Sequence, residues 1–112
     1  MVMQQVMTEP EAMVMGWLTQ RKIPFSFQTS LAGGFYELGG AVVDFILDEL
    51  SIALRVMGEY WHKGIEKTGT DMLQKEMLTA MGYTVVDLLE SDIQERLDET
   101  LRLALTGQEV LR

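Results

Sequence analysis

The sequence contains no cysteine, one histidine and two prolines. Without cysteine the chain has no disulfide framework and no thiolate metal site, and one histidine is too few for a histidine-rich zinc site. No apolar run approaches the roughly 18 residues of a membrane span, and no basic segment with a long apolar core marks a signal peptide. These absences predict a soluble protein of the cytoplasm or of a virion, without a membrane partner.

Basic residues are also scarce, with 9 Lys and Arg against 17 Asp and Glu, which gives a net charge of −8. A phosphate backbone attracts basic surfaces, so this balance predicts weak DNA binding by the isolated domain, although it leaves room for a local basic groove. At 112 residues and 47% hydrophobic composition, the chain can bury one core. We expect a single domain over 1–112, with its core over 8–106 and a short tail over 107–112.

Methionine is abundant at the start of the chain, where Met1, Met3 and Met7 stand close together. Methionine is flexible and polarisable, so residues 1–7 are expected either to extend the first helix or to form an arm that docks on a partner. Trp17 and Trp61 are expected in the core, although either could anchor an interface. The expected partner is therefore another protein or a second copy of the chain.

A capping box opens the first predicted helix, because Thr8 and Glu11 stand three residues apart ahead of an apolar stripe. Pro24 ends this helix, since the residue before a proline avoids the helical region. A short alternating strand follows at 25–28, and a glycine-rich loop or irregular strand occupies 30–40.

A hairpin is predicted next, with apolar strands at 41–47 and 52–57 joined by a turn at 48–51. If the turn closes symmetrically, Asp44 lies directly opposite Arg55. Residues opposed in this way share a face, with about 4.5–5.5 Å between their Cβ atoms. One acid and one base thus stand together inside two apolar strands.

The rest of the pattern predicts a helix from Asp71, a strand at 84–89 and a last helix that starts at Ser91 or Asp92 and stops at Gly107. The expected order is α-β-β-β-α-β-α around a mixed sheet with a central hairpin, an α/β fold. Gly82 is expected to cap the helix from Asp71. Lys75 and Glu76 of this helix are expected to face outward. Its buried apolar stripe is expected to consist of Leu73, Met77, Ala80 and Met81.

These elements, taken in order with Glu11, the VVDF strand, the RVMGEYWH segment and the stretch from Gly82 to Val86, resemble one known arrangement. It is similar to the PD-(D/E)XK nuclease superfamily, and within it to the small domains of very-short-patch mismatch repair endonucleases. The resemblance covers roughly 8–102 and rests on order and spacing rather than on a single motif. It implies a three-layer restriction-endonuclease-like fold.

The resemblance also implies a metal site with a departure from the family pattern. The family's strand aspartate, matched here by Asp44, binds a divalent ion, and His62 holds the place of the family's histidine. An acidic residue normally follows on the next strand, where this sequence has Arg55 and Met57. We therefore expect a structural ion pair in which the Arg55 guanidinium lies beside Asp44, where relatives place the metal.

Two functions follow from these observations. The first is a non-catalytic nuclease-fold module that acts through protein contacts as an assembly or adaptor component, for instance of a phage or mobile element, without a cofactor. The second is a small Mg²⁺-dependent DNA endonuclease in which Asp44, His62 and Glu11 act with a carbonyl near Val56. The missing carboxylate, the missing motif lysine, the acidic charge and the Met-rich start favour the first. The presence of Asp44 and His62 favours the second. The sequence predicts the non-catalytic module, with the endonuclease as the alternative.

Overall fold

A four-stranded sheet and four helices make up the part of the chain that the computed structural model describes, residues 7–30, 42–58 and 69–109. In chain order the elements are α1 Glu9–Gln20, β1 Ser26–Ser30, β2 Val42–Leu47, β3 Ile52–Met57, α2 Gly69–Ala80, β4 Thr84–Leu89, α3 Glu90–Glu95 and α4 Leu97–Ala104.

The sheet is mixed, as predicted, and its strands follow the order β1-β2-β3-β4. The first three strands are antiparallel neighbours, whereas β4 runs parallel to β3 after the chain has passed through α2. The register predicted for the central hairpin is confirmed from the turn as far as Phe45, because Leu47 pairs with Ile52 and Phe45 pairs with Leu54. The predicted pair of Asp44 with Arg55 is not part of this ladder. Ser51 adopts a positive φ of 56°, which closes the turn tightly enough for this register.

The capping box of α1 is also confirmed. The Glu11 N–H donates to Thr8 Oγ1 at 3.3 Å, and the Thr8 N–H donates to Glu11 Oε1 at 3.0 Å. These two bonds satisfy amides that the first helical turn would otherwise leave without partners. They also fix the Glu11 side chain, which lies buried against the protein rather than in solvent.

Both faces of the sheet bury apolar side chains. Phe45, Leu47 and Leu54 lie in a large cluster with Val14 and Leu18 of α1 and with residues of α3 and α4. The next residues along each strand alternate to the opposite face, where the smaller cluster is Ile46, Ala53 and Leu78. Helices therefore pack on the two faces, with α2 supplying Leu78 on the second.

The last helix differs from the prediction because it is two helices, α3 and α4. Arg96 interrupts it with φ −147° and ψ 57°, and Leu89, rather than Ser91 or Asp92, occupies the N-cap position of α3. Asp92 is buried, and its carbonyl oxygen accepts bonds from the Arg96 amide and the Thr100 hydroxyl. An apolar stripe does not reveal a break of one residue, since both pieces still contribute to the same core.

The inward face of α2 also differs from the prediction. The proposed stripe is largely at the surface, with Leu73 37% and Met81 46% exposed. Instead Gln74, 8% exposed, and Leu78, 2% exposed, face the sheet. The reason is the partner surface: the sheet presents the charged Arg55 beneath α2, and the Gln74 amide oxygen binds its guanidinium. A polar residue therefore lies at the helix–sheet contact.

Two alanine substitutions on α2 test this orientation. We expect Leu78→Ala to lower the free energy of unfolding by about 2–5 kcal/mol, because it leaves a cavity against Ile46 and Ala53. The matched control, Leu73→Ala, is expected to cost less than about 1 kcal/mol, since its side chain is partly in water already. Urea denaturation measures both values. A larger loss for Leu73→Ala would contradict the orientation of α2 described here.

Candidate active site

Asp44 lies near the start of β2, where its half-buried carboxyl group reaches the neighbouring strand. Its Oδ2 accepts a hydrogen bond of 2.7 Å from the Val56 N–H of β3. This bond uses a backbone donor that belongs to the strand ladder and turns the carboxyl group toward the end of β3. An acid in an apolar strand is thereby held by backbone in one orientation.

Glu11 reaches the same carboxyl group from the first turn of α1. Its side chain hydrogen-bonds to that of Asp44, while its Oε1 also accepts from the Thr8 N–H. Two of the three catalytic residues that the resemblance implied are therefore brought together from distant parts of the sequence. The third, His62, lies outside the described residues.

The environment raises the pKa of Asp44 from 3.8 to about 7. Burial is the largest cause, because it disfavours the ionised form, and the negative charge and hydrogen bond of Glu11 act in the same direction. The Val56 N–H and the positive charge of Arg55 lower the pKa, but by less. Asp44 therefore keeps its proton up to near neutral pH and can donate it in the hydrogen bond to Glu11.

This arrangement can also hold a cation. Carboxylate oxygens are the ligands that hard divalent ions prefer, and Mg²⁺ is commonly bound through one or two carboxylates while it keeps several waters. A bound cation would replace the Asp44 proton. The described residues contain no group of three or more His, Cys, Asp or Glu side chains placed to hold a metal ion. Glu11 and Asp44 thus form a pair of carboxyl groups that no third such side chain joins in the described residues.

Arg55 has a carboxylate partner that the sequence analysis did not name. Its Nε donates to Asp87 Oδ1 at 2.8 Å and its Nη2 donates to Asp87 Oδ2 at 3.1 Å. Its Nη1 donates to Gln74 Oε1 at 2.8 Å. The predicted ion pair between Asp44 and Arg55 is not among the contacts described, although the Arg55 charge acts on Asp44 through space.

Asp87 was missed because its role depends on a parallel register. It stands in the TVVDLL run of β4, where an acid among apolar residues gives the same signal as the VVDF run of β2. Its pairing with Arg55 follows from the β3–β4 alignment, which no local turn specifies. An unexplained charge in the strand was the signal available in the sequence.

The remaining candidates divide between the core and the undescribed segments. Trp17 is buried, donates from Nε1 to Asp98 Oδ1 at 3.1 Å and carries the Arg21 guanidinium 4.0 Å from its ring centroid. It therefore packs within the domain. Met7 is half-buried ahead of α1. Three of the interface candidates lie outside the described residues: Met1, Met3 and Trp61.

Comparison with known proteins identifies a fold that this chain shares with a solved structure. No family model matches the chain, and neither does any curated protein. Among solved structures, the catalytic domain of the homing endonuclease I-Bth0305I matches with a TM-score of 0.67 over 89% of this chain and 93% of that one, at 21% sequence identity. The chain thus has a nuclease-like α/β fold. None of the described helices has both the length and the apolar character needed to cross a membrane.

The pKa of Asp44 predicts how Asp44→Asn changes stability with pH. Asparagine can still accept from the Val56 N–H and can donate to Glu11 without a charge. Because the folded-state pKa is raised, Asp44 stabilises the fold fully below about pH 4, and this contribution is lost as the pH rises through about 7. We expect Asp44→Asn to add about 1–3 kcal/mol more to the free energy of unfolding at pH 8 than at pH 5.

Asp98→Asn is the matched control for this measurement by chemical denaturation. Hydrogen bonds from Arg102 and Trp17 lower the pKa of Asp98, so this group stays ionised in both folded and unfolded states between pH 5 and pH 8. Its effect on stability should therefore not change over that range. An Asp44→Asn effect that is equally independent of pH would contradict the raised pKa of Asp44.

Proposed function

We propose that this chain is a metal-dependent DNA endonuclease domain of the PD-(D/E)XK type, similar to the very-short-patch repair enzymes. The observation that carries the proposal is the contact between the Glu11 and Asp44 carboxyl groups beside the end of β3. A strongly raised pKa caused by burial and a second acid is typical of functional sites. The likeness to the catalytic domain of a homing endonuclease supports DNA as the substrate class.

Glu11 offsets the main observation that favoured a non-catalytic role. The non-catalytic reading depended on the loss of the second carboxylate at Arg55 and Met57 of β3. Glu11 supplies a second carboxyl group from α1, and the capping box holds it in place. Two carboxylates together with water satisfy the ordinary ligand needs of Mg²⁺. This second carboxyl group supports metal-dependent hydrolysis as the proposed activity.

Each residue of the site has a definite part in this proposal. When bound, Mg²⁺ would activate a water molecule and stabilise the leaving oxygen of a phosphodiester. Glu11 and Asp44 would hold the ion, and the Val56 N–H fixes the Asp44 carboxylate for that purpose. His62, a catalytic candidate from the family resemblance alone, is proposed as a proton donor or acceptor, a role that imidazole commonly takes in catalysis.

The net charge of −8 predicts weak binding to DNA and so determines the conditions under which the activity would be observed. An acidic domain gains little from the phosphate backbone, so its affinity for DNA alone should be low. We expect cleavage to require a high protein concentration. Tight binding would need a basic segment or a second domain that supplies phosphate contacts.

The alternative is the non-catalytic module that binds another protein or a second copy of the chain. One observation favours it, because α2 exposes large apolar side chains: Met72, Leu73 and Met81. Exposed apolar patches mark interaction surfaces more often than isolated apolar residues do. Such a surface is also compatible with an endonuclease that assembles with other subunits, so it does not outweigh the carboxyl pair.

Nicking of supercoiled plasmid DNA with Mg²⁺ or Mn²⁺ tests the proposal. We expect Asp44→Asn and Glu11→Gln each to lower the nicking rate by at least about 100-fold, because either change removes a metal ligand. Asp98→Asn, which removes an acid of α4 that binds Trp17 and Arg21 at the end of α1, should keep the rate. Chelation of the metal should stop the reaction.

Equal rates for all four proteins, or no nicking and no Mn²⁺ binding by the unmodified chain, would contradict the proposal. The second result would favour the non-catalytic module. Titration calorimetry with Mn²⁺ alone distinguishes a site that binds metal from one that does not, without dependence on the unknown DNA sequence.

A further inference from the structure

Arg55 lies between two aspartates on neighbouring strands. It stands in direct register with Asp87 of β4. On the other side, Arg55 follows Leu54 and Asp44 precedes Phe45, so the two residues stand one position beyond the last pair of the hairpin ladder, on neighbouring strands. The Arg55 charge is close enough to lower the pKa of Asp44. One guanidinium group therefore has two carboxyl groups available to it.

Several contacts direct this guanidinium to Asp87. Two parallel hydrogen bonds of 2.8 and 3.1 Å join the planar group to both Asp87 oxygens, and this bidentate geometry is strong and specific. Gln74 accepts a third bond from Nη1 on the α2 side. Lys75 Nζ lies 3.5 Å from Asp87 Oδ2 and adds a second positive charge beside that carboxylate.

The carboxylate that Arg55 binds determines whether the Glu11–Asp44 pair is open to a cation. A guanidinium bound to Asp44 would occupy the oxygens that a divalent cation needs and would repel the cation. We propose that Asp87 is a positioning residue: by binding Arg55, it keeps the guanidinium away from Asp44 and leaves the Glu11–Asp44 pair accessible to a divalent cation. The accessibility of the pair to a cation rests on the proposed function, whereas the restraint of Arg55 by Asp87 does not.

A measurement without metal tests the first part. At pH 8 we expect Asp44→Asn to raise Tm in the otherwise unmodified chain, because it removes a charge beside Glu11. In an Asp87→Asn background the same substitution should lower Tm by several degrees, because Arg55 has then turned to Asp44 and loses that partner. A shift of the same sign and size in both backgrounds would overturn the inference.

A milder background keeps this test decisive if Asp87→Asn folds poorly. Gln74→Leu removes one acceptor of Arg55 and retains Asp87. Here the increase in Tm caused by Asp44→Asn should become smaller than in the unmodified chain. An unchanged increase would count against the inference.

Calorimetric titration with Mn²⁺ tests the second part. Asp87→Asn should weaken Mn²⁺ binding by at least about 10-fold, as loss of an outer-shell partner commonly does. The double variant Asp87→Asn/Arg55→Gln should recover most of the affinity, since no guanidinium then competes for Asp44. Asp98→Asn should bind as the unmodified chain does.

The outcomes separate the two proposals. A double variant as weak as Asp87→Asn alone would assign Asp87 a merely structural role and overturn the inference. An unmodified chain that binds no Mn²⁺ would overturn the proposed function, and the Tm comparison would still decide whether Asp87 restrains Arg55.

Discussion

An ionised side chain inside a sheet must find a partner, because removal from water is costly unless the charge is paired. Three neighbouring strands of this protein each carry such a charge, at Asp44, Arg55 and Asp87. Arg55 and Asp87 satisfy the requirement with each other in a bidentate pair. Asp44 contacts another acid, Glu11, and its pKa rises to about 7 as a result of burial and this contact. The site and the packing of α2 both depend on this division of partners.

The same constraint links local structure to the proposed chemistry. Glu11 completes the capping box of α1, so a bond that stabilises the helix also fixes the position of a carboxyl group beside Asp44. The Val56 N–H then orients Asp44 from β3. On the other face, Gln74 and Leu78 bring α2 against the sheet and help to hold Arg55. Contacts between elements of secondary structure thus bring two carboxyl groups together where a cation could bind.

Local patterns predicted much of the fold. The start of α1 and the register of the central hairpin followed from a capping box and a symmetric turn, which involve residues close in sequence. The face of α2 could not be predicted from its apolar stripe, because the sheet beneath it presents Arg55 and selects Gln74 instead of Leu73. The break at Arg96 was equally invisible to an apolar pattern.

The site was predicted in part and for a different reason. Asp44 and Glu11 were named together because the order of elements resembled a nuclease family, and no pattern within either segment indicates their contact. Asp87 was missed because parallel pairing of β3 with β4 is set by packing across the whole sheet. The nuclease-like fold expected from the resemblance agrees with the fold shared with a homing endonuclease catalytic domain. Its finer classification remains a proposal.

Anomalous scattering from a crystal of the unmodified chain soaked in Mn²⁺ at pH 8 tests the central claim most directly. We predict a manganese peak bound to both Glu11 and Asp44, at about 2.0–2.3 Å from a carboxylate oxygen of each, with water completing the octahedron. A map without a peak there, in which the two carboxyl groups still contact each other, would contradict the account.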